Sequence, residues 1–148
     1  MFHWSPIRLR EGSIVEPGNF GRMIRRYRRD QFGDGWRMAR ELLFEQARQD
    51  FAASAPSRLN ACFMCPTYEE AMRYQAAYDP HLLQVLHEVE VVELGAPEHA
   101  GALSLLNENE ATSFLDSFQR QARAYWEGRG EGDREVLTAS PIRVVRTF

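Results

Sequence analysis

The sequence contains no lysine: all 18 of its basic residues are arginine. A GC-rich coding bias accounts for this. The functional alternative is that arginine's planar fork suits phosphate groups. Five of the arginines crowd into one segment, at Arg22, Arg25, Arg26, Arg28 and Arg29. Cysteine is nearly absent, with only Cys62 and Cys65 in a C-x-x-C spacing. Zinc usually takes four ligands, and the missing second pair argues against a zinc site. A thioredoxin-like redox site is disfavoured because the intervening residues, Phe63 and Met64, are bulky and apolar. In an extended strand, positions three apart also face opposite ways, so the pair reads as two buried or half-buried thiols. No apolar run approaches a membrane span. Arg8 and Arg10 interrupt the N-terminal region before the apolar stretch of a signal peptide can form. The expectation is a cytoplasmic protein with no membrane partner. A net charge of −3 makes no bulk electrostatic demand for nucleic acid. Internal repeats and linkers are missing too, so residues 1–148 read as one domain with a single core.

Taken in order, the chain predicts a first strand before Ser5-Pro6 and a short one at Ser13-Ile14-Val15. Asn19 is placed to cap a helix through 22–27. Gly33-Asp34-Gly35 reads as a break, with Asp34 as the N-cap of a helix over 36–53. Trp36, Ala39, Leu43, Ala47 and Phe51 form its apolar stripe, widened by Leu42 and Phe44. A strand is expected over 59–64. Thr67-Tyr68-Glu69-Glu70 is a capping box for a helix over 68–78, ended by Asp79-Pro80. Residues 81–94 predict the longest strand, with Val85, His87, Val89 and Val91 on one face. A loop with one helical turn near 103–106 follows. Thr112 or Ser113 opens a helix with Phe114, Leu115, Phe118, Ala122 and Tyr125 on one side. The glycine-rich segment 128–133 reads as a mobile loop. It follows no strand and enters no helix, so it is a poor phosphate loop. Two strands, 135–139 and 142–147, flank Ser140-Pro141. With no βαβ alternation and strand-rich ends around a helical middle, the fold class is α+β.

Three stretches carry chemistry-bearing residues: F-H-W-S at 2–5, A-C-F-M-C-P-T-Y-E-E-A-M-R-Y at 61–74, and E-V-L-T-A-S-P-I at 135–142. In this order they resemble the ADP-ribosyltransferase superfamily of the poly(ADP-ribose) polymerase and diphtheria-toxin type, together with uncharacterised bacterial proteins grouped there. The resemblance implies a split β-sheet core, here with a helical insertion after the first strand. It implies NAD as substrate and a macromolecular acceptor, protein or nucleic acid. It assigns His3 to the first strand, Phe63 to the aromatic position of the middle strand, and Glu135 to the glutamate that starts a late strand. His87-Glu88-Val89-Glu90-Val91 is similar to the strand after the middle helix.

Breaking the nicotinamide–ribose bond builds oxocarbenium-like charge on the sugar. A carboxylate such as Glu135 can stabilise that charge, bond the ribose and orient the nucleophile. His3 would hold further ribose contacts, and an aromatic face would hold the nicotinamide ring. The expected catalytic pair is therefore Glu135 and His3. The expected NAD contacts are His3, Ser5, Phe63, Tyr68, Tyr74 and Arg22, with no metal. The superfamily's usual tyrosine is Phe63 here, which stacks but donates no hydrogen bond, and Tyr68 or Tyr74 is the substitute. An NAD glycohydrolase and a non-catalytic NAD- or nucleic-acid-binding module are the alternatives. Each residue also has a plainer role: Phe63 and Tyr74 as core residues, Glu135 as a strand-start charge, the arginine run as a solvated helix face. His81, His87 and His99 show no ligand spacing.

Overall fold

Alternation decides the first strand, β1 (Phe2–Ser5), where Phe2 and Trp4 turn to one face and His3 and Ser5 to the other. The computed structural model describes residues 1–26, 32–78, 84–107 and 113–148. β1 pairs antiparallel with β4 (Val85–Val91), β4 with β7 (Ile142–Thr147), and β7 with β2 (Ile14–Val15). A second antiparallel sheet has the order β3 (Cys62–Met64), β6 (Arg134–Thr138), β5 (Glu98–Ala102). One bridge outside these strands, Phe2 to Cys65, stitches the two sheets together with a pair of backbone hydrogen bonds of 2.9 and 2.7 Å.

Four α-helices are present among the described residues: α1 (Asn19–Ile24), α2 (Phe32–Phe51), α3 (Tyr68–Tyr78) and α4 (Phe114–Trp126). The fold is α+β. Phe44 and Ala47 of α2 meet Phe118, Ala122, Tyr125 and Trp126 of α4 over Leu137 of β6, forming the largest core cluster. The other face of β3 and β6 packs on β4 and β7 through Cys62, Met64, Val89, Ile142 and Val144. Phe2 and Trp4 cover Ala71 of α3, Leu86 and Cys65, and the Trp4 indole donates to the Ala71 carbonyl at 2.9 Å. Both cysteines are buried and free, and they belong to different core clusters.

Several expectations hold at the level of single caps. Thr67 Oγ1 accepts from the Glu70 amide at 3.2 Å, the N-cap half of the expected capping box, while the Glu70 carboxylate accepts from the Thr67 hydroxyl at 2.8 Å. Ser113 caps α4, accepting from the Asp116 amide at 3.2 Å; Thr112 lies outside the described residues. The strands around Ser140-Pro141 stand where expected.

Other expectations are corrected. Gly18, with φ of 90°, precedes α1, and Asn19 is its first helical residue rather than its cap. Gly33, Asp34 and Gly35 lie inside α2, which starts at Phe32. The buried face of α2 runs through Glu41, Phe44 and Ala47, while Trp36, Leu42 and Phe51 are exposed. The expected stripe holds at its centre, where Leu43, Phe44 and Ala47 face the core, and fails at Trp36, Leu42 and Phe51, while a charged residue, Glu41, joins the buried face. Residues 59–64 divide into a 3-10 turn, Arg58–Asn60, and β3. The described part of the 81–94 stretch forms β4 over Val85–Val91, and 79–83 lie outside the described residues, His81 included. The face expected there, Val85, His87, Val89 and Val91, is kept; the register shift between Glu88 and Val89 comes from an extra residue in β7, Val145. β5 stands where a loop was expected, since Glu98-His99-Ala100-Gly101-Ala102 offers no β-branched residue as a signal. Leu115 is exposed rather than on the buried side of α4.

Candidate functional site

The three motif strands lie side by side: β1 meets β3 through the Phe2–Cys65 bridge, and β3 pairs with β6. In β6, Glu135 and Leu137 share a face. The register Phe63 to Leu137 brings Phe63 to that same face. Across the other ladder, Gly101 stands opposite Glu135. A Cβ at Gly101 would fall 1.9 Å from the Tyr125 ring. The bare glycine therefore admits the Tyr125 ring and lets its hydroxyl reach the glutamate.

Glu135 is buried at 6% exposure. Its Oε1 accepts from the Tyr125 hydroxyl at 2.7 Å and from Nη1 of Arg58. Arg58 comes from the 3-10 turn ahead of β3, which Ser57 caps by accepting from the Leu59 amide at 3.2 Å. Its Nε donates to Glu41 Oε2 at 2.8 Å and its Nη1 to the Tyr125 hydroxyl at 3.0 Å. Arg40 closes the network, donating to Glu41 Oε1 at 2.8 and 3.1 Å and to the Leu106 carbonyl at 2.9 Å. Two guanidinium groups thus balance two carboxylates. Four rings surround the Arg58 guanidinium carbon, those of Phe63, Tyr125, Phe44 and Phe20, at 5.2 to 5.9 Å. Phe20, on α1, also stands edge-on to Phe63 at 5.2 Å.

Burial alone would raise the Glu41 carboxyl, but Arg58 and then Arg40 more than offset it and hold it below its ordinary value. Burial would lower Arg58, and Glu41 followed by Tyr125 turns the net direction upward. Burial pushes the Tyr125 phenol up to about 12 against the pull of Arg58. The cluster is charged, neutral overall and closely bonded.

His3 sits apart from this network but is tied to it. Its Nδ1 donates to the Phe63 carbonyl at 2.8 Å, a carbonyl being only an acceptor. Burial holds the imidazole below its ordinary range, partly countered by that carbonyl, and the neighbouring His87 adds to the lowering. His87 stands opposite His3 in the ladder, fully enclosed, and its Nε2 accepts from the Leu9 amide at 3.0 Å.

The remaining expected site residues are spread more widely. Ser5 is buried, and its hydroxyl accepts from the Ile7 amide at 3.3 Å in the turn after β1. Tyr68 stands edge-on to Phe2 at 5.8 Å and beside Phe148 at 5.6 Å, half open to solvent. Tyr74 is half-buried against two core clusters, the helix-face packing its spacing predicts. Arg22 is exposed and bonds Asn19 within α1. Arg25 reaches Asn60 at 3.2 Å, and Arg28 and Arg29 lie outside the described residues.

The structure therefore brings Phe63 and Glu135 to one cluster and links His3 to it through the Phe63 backbone. Sequence reasoning missed Arg58, Glu41 and Gly101, and placed Tyr125 only as a core residue. No local signal marked them: Gly101 lies in a segment with no strand pattern, so its close approach to Tyr125 was hidden as well. The glycine-rich loop is anchored: Arg134 donates to the carbonyls of Gly128 and Gly130, and Asp133 pairs with Arg73 at 2.7 Å. Among the described residues no group of histidine, cysteine and carboxylate side chains is arranged to hold a metal. No helix among them is long and apolar enough to cross a membrane.

Residues 15–148 match the family described as "Protein of unknown function (DUF2441)", and the chain belongs to that family. No curated protein matches it.

Proposed function

We propose that this chain is an NAD-dependent ADP-ribosyltransferase, passing ADP-ribose from NAD to a macromolecular acceptor, protein or nucleic acid. The observation that carries the proposal is topological. The two sheets read as halves of one split sheet, in which β1, β3 and β6 are consecutive and bear His3, Phe63 and Glu135. That is the set of positions through which the superfamily's chemistry runs. In the reaction, the bond between nicotinamide and the ribose C1 breaks and its electron pair leaves with nicotinamide. The acceptor's nucleophile bonds C1 and gives up its proton. Glu135 supplies negative charge beside the ribose as positive charge develops. His3 lies on the face of β1 opposite Phe2, whose partner Cys65 shares the face of Phe63 and Glu135, so in this reading Glu135 carries the ribose contact and His3 braces the site through its Nδ1 bond to the Phe63 carbonyl. The ring of Phe63 offers a stacking face, and the exposed Arg22, with Arg25 and Arg26 beyond it on the same turn, offers phosphate contacts. The expected cytoplasmic setting fits an enzyme that draws on NAD.

One observation favours a second reading. Arg58 neutralises Glu135 and buries it, as a non-catalytic module that kept the fold would tolerate. Incubation with NAD and mass spectrometry decide between them. Released nicotinamide together with a modified protein or nucleic acid supports the transferase, and nicotinamide alone identifies a glycohydrolase. Binding without cleavage selects the non-catalytic module. Glu135→Gln should cut turnover by on the order of 10²–10³ while leaving NAD affinity nearly intact. A Glu135→Gln protein that turns over at the parent rate removes this residue from the mechanism.

A further inference from the structure

The hydrogen bonds at Glu135 are lopsided. Arg58 and Tyr125 both donate to Oε1 and neither donates to Oε2. The side chain keeps 8% of its surface open to solvent. Its two partners are themselves pinned. Tyr125 lies in the bare space left by Gly101 and donates its only hydroxyl proton to Glu135. Arg58 is held from its other side by Glu41 at 2.8 Å and ringed by four aromatics. A carboxylate bound at one oxygen by two fixed donors has its plane and reach set before any ligand arrives.

We infer that Arg58 and Tyr125 are positioning residues that lock Oε1 of Glu135 and present Oε2 to the ribose of NAD. This assignment rests on the transferase reading above. Neither residue touches the reacting atoms, and both act through Glu135. It also gives the arginine a role compatible with catalysis: the charge of Glu135 is shared with Arg58 at one oxygen while the other stays available. Tyr125 additionally makes Gly101 part of the site, since any side chain there would push the ring away from the glutamate.

A double-mutant cycle on nicotinamide release tests this. Tyr125→Phe keeps the ring in the core and deletes one hydrogen bond to a charged group. The expected result is a fall in kcat of roughly tenfold to hundredfold, with KM changed less than about twofold. In a Glu135→Gln background the same substitution should change kcat less than about twofold, because its effect travels through the carboxylate. A merely structural tyrosine would cost the same factor in both backgrounds, and that result overturns the assignment. Arg58→Lys gives an independent arm: lysine keeps the charge but lacks the fork that reaches Glu41, Tyr125 and Glu135 together. Its effect on kcat should likewise vanish in the Glu135→Gln background, and an undiminished effect overturns the role of Arg58. A parent protein that releases no nicotinamide overturns the transferase reading and this assignment with it. Turnover by the parent with an unaffected Tyr125→Phe variant overturns the assignment alone. Circular dichroism and a thermal melt of each variant confirm that the comparison is made between folded proteins.

Discussion

Replacing Arg58 by methionine is the most informative single perturbation of the fold. Methionine preserves an apolar stem against Phe20, Phe44, Phe63 and Tyr125 but removes the charge from between two buried carboxylates. Glu41 keeps Arg40, whereas Glu135 keeps, among the described residues, only the Tyr125 hydroxyl. Breaking a buried ion pair from one side costs about 3–5 kcal/mol, because a charge is left desolvated without its partner. That is a large share of a stability of about 5–15 kcal/mol. At about 2–4 °C per kcal/mol for a chain of this size, the melting temperature should fall by roughly 6–20 °C.

The pH dependence has a definite sign. In the parent, Glu41 is held below its ordinary value by Arg58 and Arg40 against the opposing effect of burial. Its contribution is therefore present above about pH 4.3 and lost as pH falls through the lower folded-state value. In the variant, burial acts on carboxylates that have lost Arg58, so protonation relieves the penalty. The gap between parent and variant should narrow as pH drops from 7 toward 4. Urea melts followed by tryptophan fluorescence read it, since Trp126 lies against Tyr125 at 4.9 Å between ring centres. Adding Glu135→Gln and Glu41→Gln to Arg58→Met should recover much of the loss. A variant within about 1 kcal/mol of the parent at pH 7, or a gap that widens on acidification, refutes the reasoning.

Gly101→Ala should destabilise by about 1–3 kcal/mol, the usual cost of overpacking, because its Cβ would stand 1.9 Å from the Tyr125 ring; a thermal melt measures it. Burial pushes the Cys62 and Cys65 thiols up to about 11 and about 12. Both should therefore resist a thiol reagent at pH 8 in the native protein and react fully in denaturant, with absorbance giving the count.

Local signals were readable wherever one short pattern decides one feature. The capping box at Thr67 and the serine at 113 each satisfy orphan amides at a helix start, and both act as the sequence implies. Ser140-Pro141 separates two strands because proline ends one ladder before the next begins. The burial of Glu41 on α2 was illegible for the opposite reason. Hydrophobic periodicity counts Glu41 as a surface residue, yet its partner lies 17 positions away at Arg58. Tertiary pairing decides its burial, and no local pattern carries that. Arg58 was hidden in the same way, and Tyr125 showed its packing but not its bond. The motif strands were legible as elements, and their adjacency appears only once the Phe2–Cys65 bridge is seen.

The strand order has a kinetic consequence. β6 is the middle strand of β3-β6-β5, and β7 is an interior strand of β1-β4-β7-β2. Residues 134–147 therefore supply an inner strand to both sheets. Until that segment leaves the ribosome, β3 and β5 lack the strand that joins them, β2 has no strand partner among the described residues, and β1 can pair with β4 and, through the Phe2–Cys65 bridge, with the end of β3. Glu135 then lacks its place in a ladder, and Arg58 lacks one of its two carboxylates. The nascent chain must carry unpaired strand edges and a half-neutralised arginine until residues 134–147 emerge, with sheet closure deferred to non-local contacts. Closing both sheets and completing the ion network thus become a single event that waits on one short segment.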